Sequence, residues 1–200
     1  MILAPGPWHH AHPGIAETGM AASLKRAGVG TGGKCMAEAK ERTIEDRLAI
    51  YNLIASHPPS ADTGAQSYIR SIFADDGVLD LGGTKTAAGN DTISEMSQRP
   101  AHQEAIRSGL AHFAGLPHVE LDGDRAVATS YLQIISPDAL AEPVEVPAHG
   151  VSKGYRIHRV GANRWELVRT PDGWKIKRRV FRSLDGSNDA LDILRQALAG

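Results

Sequence analysis

From residue 44 onward the apolar residues fall at helical spacing. Ile44, Leu48, Tyr51 and Ala55 mark one face, and Ile50, Leu53, Ile54 and His57 widen it. Thr43-Ile44-Glu45-Asp46 fits an N-capping signature, and Pro58-Pro59 is expected to end the helix. A second helix is expected from Gly64 to Phe73, with Ala65, Tyr68, Ile69, Ile72 and Phe73 as its apolar positions. Asp75-Asp76-Gly77 reads as a turn and Val78-Leu79-Asp80-Leu81 as a short strand. Asn90 or Asp91 can cap a third helix running toward Arg107, with Pro100 interrupting it.

Beyond Arg107 the period changes from helix to strand. His112 to Leu121 reads as a strand kinked at Pro117, and Asp122-Gly123-Asp124 as a hairpin turn into a strand from Ala126 to Ile135. A proline-containing loop spans 137–147. Val151–Val160 and Arg164–Arg169 read as two strands joined around Gly161-Ala162-Asn163. Pro171-Asp172-Gly173 is a tight turn, Trp174–Leu184 the last strand, and Asp189–Leu198 a short helix. Helices first and antiparallel strands afterwards define an α+β fold, with helices on one side of a curved sheet. The expected segments are a flexible N-terminal extension over 1–40, an α+β domain over 41–186 and a C-terminal helical tail over 187–200.

Composition narrows the partners. Of 200 residues, 42% are hydrophobic, enough for a real core, and 22 Lys+Arg stand against 23 Asp+Glu. A net charge of -1 gives no general reason to expect nucleic acid or an anionic membrane. No apolar run is long enough to span a bilayer, and MILAPGPWHHAHPG lacks a basic stretch leading into an apolar one. The single cysteine, Cys35, cannot staple the fold, so a cytoplasmic protein is the default expectation. His9, His10 and His12 form a loose cluster beside prolines with no fixed ligand geometry. No metal-ligand spacing, phosphate-binding glycine loop or nucleophile elbow is present, so chemistry by acid and base groups without a cofactor is expected.

Several short features occur in a specific order. A capped helix leads to Asp62. A second helix ends in Ile72-Phe73-Ala74-Asp75-Asp76-Gly77. A lone histidine sits in Gly109-Leu110-Ala111-His112-Phe113. Pro117-His118-Val119-Glu120-Leu121-Asp122-Gly123-Asp124-Arg125-Ala126 follows, and Asp172-Gly173-Trp174-Lys175-Ile176 closes the series. Over about residues 42–185 this resembles the SnoaL-like family of the nuclear-transport-factor-two-like superfamily. That superfamily includes scytalone dehydratase, ketosteroid isomerase, bile-acid dehydratase, a hexachlorocyclohexane dehydrochlorinase and the small subunits of ring-hydroxylating dioxygenases. The resemblance implies a cone-shaped, curved antiparallel sheet wrapped around N-terminal helices (an α+β barrel). It also implies a homodimer or homotrimer.

The same resemblance names site candidates. His112 stands where dehydratases carry a histidine that projects into the cone and moves a proton, work suited to an imidazole. Asp62 matches a carboxylate position of dehydratase-type members, although an Asp just before a helix is also a natural cap. His57 stands where the bile-acid dehydratase pattern holds a tyrosine. Ser56 occupies the place of the dehydrochlorinase aspartate, so that enzyme's dyad does not carry over.

From period-two alternation, Arg178 and Arg182 are expected to share a face with Trp174, Ile176 and Val180, and Arg169 with Trp165 and Leu167. A cation on an apolar face can bind an oxyanion. Tyr51, Phe113, Tyr131 and Trp165 are candidate pocket walls. The expected function is cofactor-independent lyase, dehydratase or isomerase chemistry on an apolar cyclic or aromatic small molecule. The alternatives are a binder without chemistry and a structural dioxygenase small subunit, which would need a large iron-containing partner chain.

Overall fold

The computed structural model describes residues 31–199, with side chains from residue 42. The N-terminal extension, His9, His10, His12 and the side chain of Cys35 lie outside the described residues.

Helix α1 spans Thr31–Asp62, so Thr43 lies within it rather than at its start. Its neighbour Asp46 is engaged across the fold by the Trp174 indole and the Arg169 guanidinium. Pro58 and Pro59 do not end the helix either. The prolines remove the donors that would reach the carbonyls of Ile54 and Ala55, and the hydroxyls of Ser56 and Ser60 bind other carbonyls of the same turns, those of Leu53 and His57, at 2.8 and 2.7 Å. The extra turn carries Asp62 onward from His57.

Helix α2 spans Gln66–Ile72 and runs straight into strand β1, Phe73–Asp80. Asp75-Asp76-Gly77 is therefore a bulge inside β1, where the register shifts between Phe73 and Val78, rather than a turn before it. Strand β2 is Thr86–Ala88. The third helical stretch is divided into α3, Asn90–Glu95, a 3-10 turn at Met96–Gln98, and α4, Pro100–Arg107. Pro100 opens α4 because its missing N–H costs nothing at the first helical position.

The remaining strands are β3 Ala111–Ala114, β4 His118–Asp122, β5 Arg125–Pro137, β6 Val144–Val146, β7 Gly150–Ser152, β8 Tyr155–Thr170 and β9 Gly173–Ser183. The main sheet runs β2-β1-β9-β8-β5-β3, with β4 also paired to β5. The expected α+β class and the curved sheet around N-terminal helices are observed. Two details differ from a closed antiparallel cone: β1 lies parallel to β9, and the sheet stays open. Residues 161–163 form no turn. β8 continues through them, paired to β5 and β9, because Ala162 and Asn163 are fully buried between neighbours.

The sheet packs both faces. Its concave face holds Phe73, Leu79, Ala126, Ala128, Trp165, Leu167, Trp174 and Ile176 against Ile50 and Ile54 of α1. On the convex face, Ala162 and Val180 receive Ala190, Ile193 and Leu194 of helix α5, Asn188–Gln196. No helix among the described residues is long and apolar enough to cross a membrane.

Candidate active site

Between α1, α4 and the concave face lies a cavity of about 650 Å³. Ile69, Phe73, Leu79, Ile93, Leu132 and Phe181 supply apolar wall, and His57, His102 and His112 break it. Antiparallel pairing of β3 with β5 sets His112 opposite Ile134, and both side chains line the cavity. Asp62, at the last turn of α1, binds His112 twice. One carboxylate oxygen accepts the His112 backbone N–H at 2.9 Å, and the other lies 2.5 Å from Nδ1. The carboxylate accepts a hydrogen bond from Nδ1–H, which fixes the tautomer and leaves Nε2 with its lone pair. Asp62 thus serves the imidazole and not the helix end, since the N-cap of α2 is Ala65.

The deep end is built on a buried cation. Arg179 is 5% exposed and its guanidinium lies 4.8 Å from the Trp165 ring. Its Nε donates to Asn163 Oδ1 at 3.0 Å, and Nη1 donates to His57 Nε2 at 2.9 Å. A guanidinium only donates, so His57 Nε2 must accept and its ring is neutral with hydrogen on Nδ1. Burial, then the charge of Arg179, then that of His112, hold the His57 pKa well below its usual value. Burial also lowers Arg179, to about 9, which leaves it a cation at neutral pH. Arg179 makes no ion pair among the described residues. A buried charge without a counter-charge costs several kcal/mol even after relaxation. Beside it, Asn163 Nδ2 is buried with no hydrogen-bond partner.

Arg179 was not among the cations expected in the cone. The expectation for Arg178 rested on unbroken alternation, and β9 breaks it. Leu167 pairs with Ile176 but Glu166 pairs with Arg178, so Lys177 is an extra residue and the faces exchange beyond it. Trp174, Ile176, Arg179 and Phe181 point inward. Arg178 and Arg182 point outward and bind Asp80 at 3.2 and 2.8 Å, and the Arg182 hydrogen bonds hold that carboxyl at about 2. A second bulge lies in β8, just beyond Arg159. Ile134 pairs with Arg159 and Ile135 with Ile157, so His158 is the extra residue, and His158 and Arg159 both line the cavity.

The other sequence candidates lie elsewhere. Trp165 is fully buried behind the wall, edge-on to His57 at 5.2 Å, with Nε1 donating to Ser130 at 3.2 Å. Tyr51 packs into the core. Phe113 and Tyr131 are exposed on the other face of the sheet. Arg169 is paired with Asp46 and Asp124 and stacks on Trp174 at 4.6 Å, outside the cavity. The sequence reading passed over His102, whose Nε2 donates to Ala61 O at 2.9 Å, and Lys85 and Arg99, which also line the cavity. Only the tertiary path of the chain brings them there. No group of three or more His, Cys, Asp or Glu among the described residues is placed to hold a metal ion.

An open α+β cone with a hollow apolar interior, a histidine–carboxylate pair on its wall and a buried arginine at its end defines a pocket protein of the cystatin-like, NTF2-like fold. Residues 42–180 match the SnoaL-like domain, and the chain belongs to that family. It is similar to an NTF2-like protein with a cystatin-like fold from Novosphingobium aromaticivorans. The identity is 33% over 82% of this chain and 99% of the other, with a TM-score of 0.72. A protein of the same organism provisionally described as an aromatic ring hydroxylase is 26% identical over 70% and 90% of the two chains, with a TM-score of 0.51. One provisionally described as a scytalone dehydratase is 16% identical over 72% and 87%, with a TM-score of 0.55, a likeness of fold alone. No curated protein matches.

Proposed function

We propose that the protein is a cofactor-independent lyase or isomerase acting by proton transfer on an apolar-bodied cyclic or aromatic small molecule. The observation that carries this reading is the His112–Asp62 pair opening onto a cavity whose deep end holds an un-neutralised arginine. His112 Nε2 takes a proton from carbon next to a carbonyl. Asp62 holds Nδ1–H and stabilises the imidazolium formed. Negative charge then develops on the carbonyl oxygen, where Arg179 and the neutral His57 Nδ1–H donate to it. In dehydration the imidazolium returns its proton to a departing hydroxyl, which leaves as water. In isomerisation it returns the proton to a second carbon. His57 acts here as a neutral donor and as the group that positions Arg179.

The test uses cyclic ketones and cyclic β-hydroxy ketones in D₂O, with proton NMR reading deuterium uptake and loss of the hydroxyl. His112→Ala should keep the circular dichroism spectrum and lose at least about 10²-fold in rate, the usual scale for a general acid–base group. Equal rates in the two proteins would overturn the reading. A binder without chemistry would hold the same compounds and turn over none of them.

A further inference from the structure

Most of the described arginines are neutralised within the protein. Arg70 meets Asp91, Arg107 meets Glu104, Arg169 meets Asp46 and Asp124, Arg178 and Arg182 meet Asp80, and Arg195 meets Asp192. Arg99 and Arg159 have no such partner among the described residues, nor has Lys85, and these three line the cavity. All three are exposed, whereas Arg179 is buried, so they mark the mouth and Arg179 the deep end.

Three separate segments bring them together. Lys85 closes the turn after β1, its N–H bonded to Gly82 O at 3.1 Å and its carbonyl to Leu81 N at 2.9 Å. Arg99 is the single extended residue between the 3-10 turn and α4. Arg159 faces the cavity in the ordinary alternation of β8, on the same face as Gly161, Asn163 and Trp165, opposite Ile134. Among the described residues no Asp or Glu lines the cavity directly, and Asp62 stands behind His112 with its carboxylate bonded to that residue. Exposed cations scattered over a surface are ordinary. Here they line one cavity, with no acid paired to any of them and low-dielectric walls that focus their field.

We infer that the ligand is an amphipathic organic anion. An apolar ring system fills the cavity, and a separate anionic group, a carboxylate or phosphate remote from the reacting carbon, is held at the mouth by Lys85, Arg99 and Arg159. The inference rests on the cavity being the ligand site of the proposed reaction. It adds a charge requirement that the reaction itself does not need.

Two fluorescent probes with the same ring pair test it: 1-anilinonaphthalene-8-sulfonate, and neutral N-phenyl-1-naphthylamine. The wild-type protein should bind the sulfonate at least about tenfold more tightly, and Lys85→Gln/Arg99→Gln/Arg159→Gln should remove that advantage while leaving the neutral probe within about twofold, since each exposed charge contributes modestly. Salt at about 1 M, with a Debye length of about 3 Å, should reproduce the effect of the triple variant. Equal binding of both probes, a triple variant that still prefers the sulfonate, sulfonate binding lost in Phe113→Gln on the other face, or no binding of either probe would each overturn the inference. Charge-blind probe binding alongside a rate lost in His112→Ala would sink the mouth site and spare the proton-transfer reading. Charge-selective binding with a rate retained in His112→Ala would do the reverse.

Discussion

Replacing Arg179 by methionine separates a cation kept for chemistry from one kept for stability. Arg179 is 5% exposed and donates to Asn163 and His57, neither of which is charged. Removing its charge recovers desolvation, and replacing buried ionic groups by apolar ones of similar volume stabilises by about 1–4 kcal/mol where it has been measured. Against this, Asn163 Oδ1 loses its donor, which costs about 1–3 kcal/mol, and the stacking on Trp165 contributes up to about 2 kcal/mol; His57 Nε2 loses its donor too, but the neutral ring can move its hydrogen to Nε2 and present it to the methionine sulfur. The two sides nearly cancel, so Arg179→Met should lie within about 1.5 kcal/mol of wild type in urea unfolding. Adding Asn163→Leu removes the stranded amide, including the Nδ2 that has no partner even now, and should make the double variant more stable than wild type. The rate of the proposed reaction should fall by about 10²–10³, the scale of losing one donor to a developing oxyanion. A loss of about 3–5 kcal/mol in Arg179→Met would refute the reasoning. That is the signature of breaking a buried ion pair, and it would mean that the protein itself supplies a counter-charge.

Two further outcomes follow from the buried groups. His57 is held neutral in the fold with its pKa well below the usual value, so below about pH 6.5 the unfolded chain binds a proton that the folded chain refuses. This contribution is fully present above pH 6.5 and is lost as pH falls, by about 1.4 kcal/mol per pH unit. His57→Gln, which can still accept from Arg179, should flatten that part of the stability profile, and parallel wild-type and variant curves between pH 5 and 7 (about the titration range of an ordinary histidine) would contradict the neutral ring. Gly161→Ala would place a methyl 2.4 Å from the Phe181 ring and from Arg182 O. Overpacking of this kind costs about 1–3 kcal/mol and pushes Phe181 into the cavity, so both urea midpoint and probe binding should fall; a variant unchanged in both would argue against the continuous β8 strand.

The sequence determined the α+β class, the Asp122–Gly123 hairpin, the change from helices to strands and the family, because these follow from local periodicity, turn chemistry and short motifs in series. It also pointed to His112, Asp62 and His57, through the roles that the family resemblance implies for these positions. Tertiary structure decided the rest. Helix α1 runs through Pro58-Pro59 to Asp62, whose carboxylate is tied to His112 of β3, and β8 runs through Ala162-Asn163 because neighbouring strands bury it on both sides. Which arginine enters the cone depended on one extra residue, Lys177. Side-chain alternation in a strand has a period of two, so a single bulge sends Arg178 to the outer face and Arg179 to the cavity. Nothing local marks that bulge, because it is fixed by the register of β9 between β8, joined to it by a tight turn, and β1, which is far away in sequence.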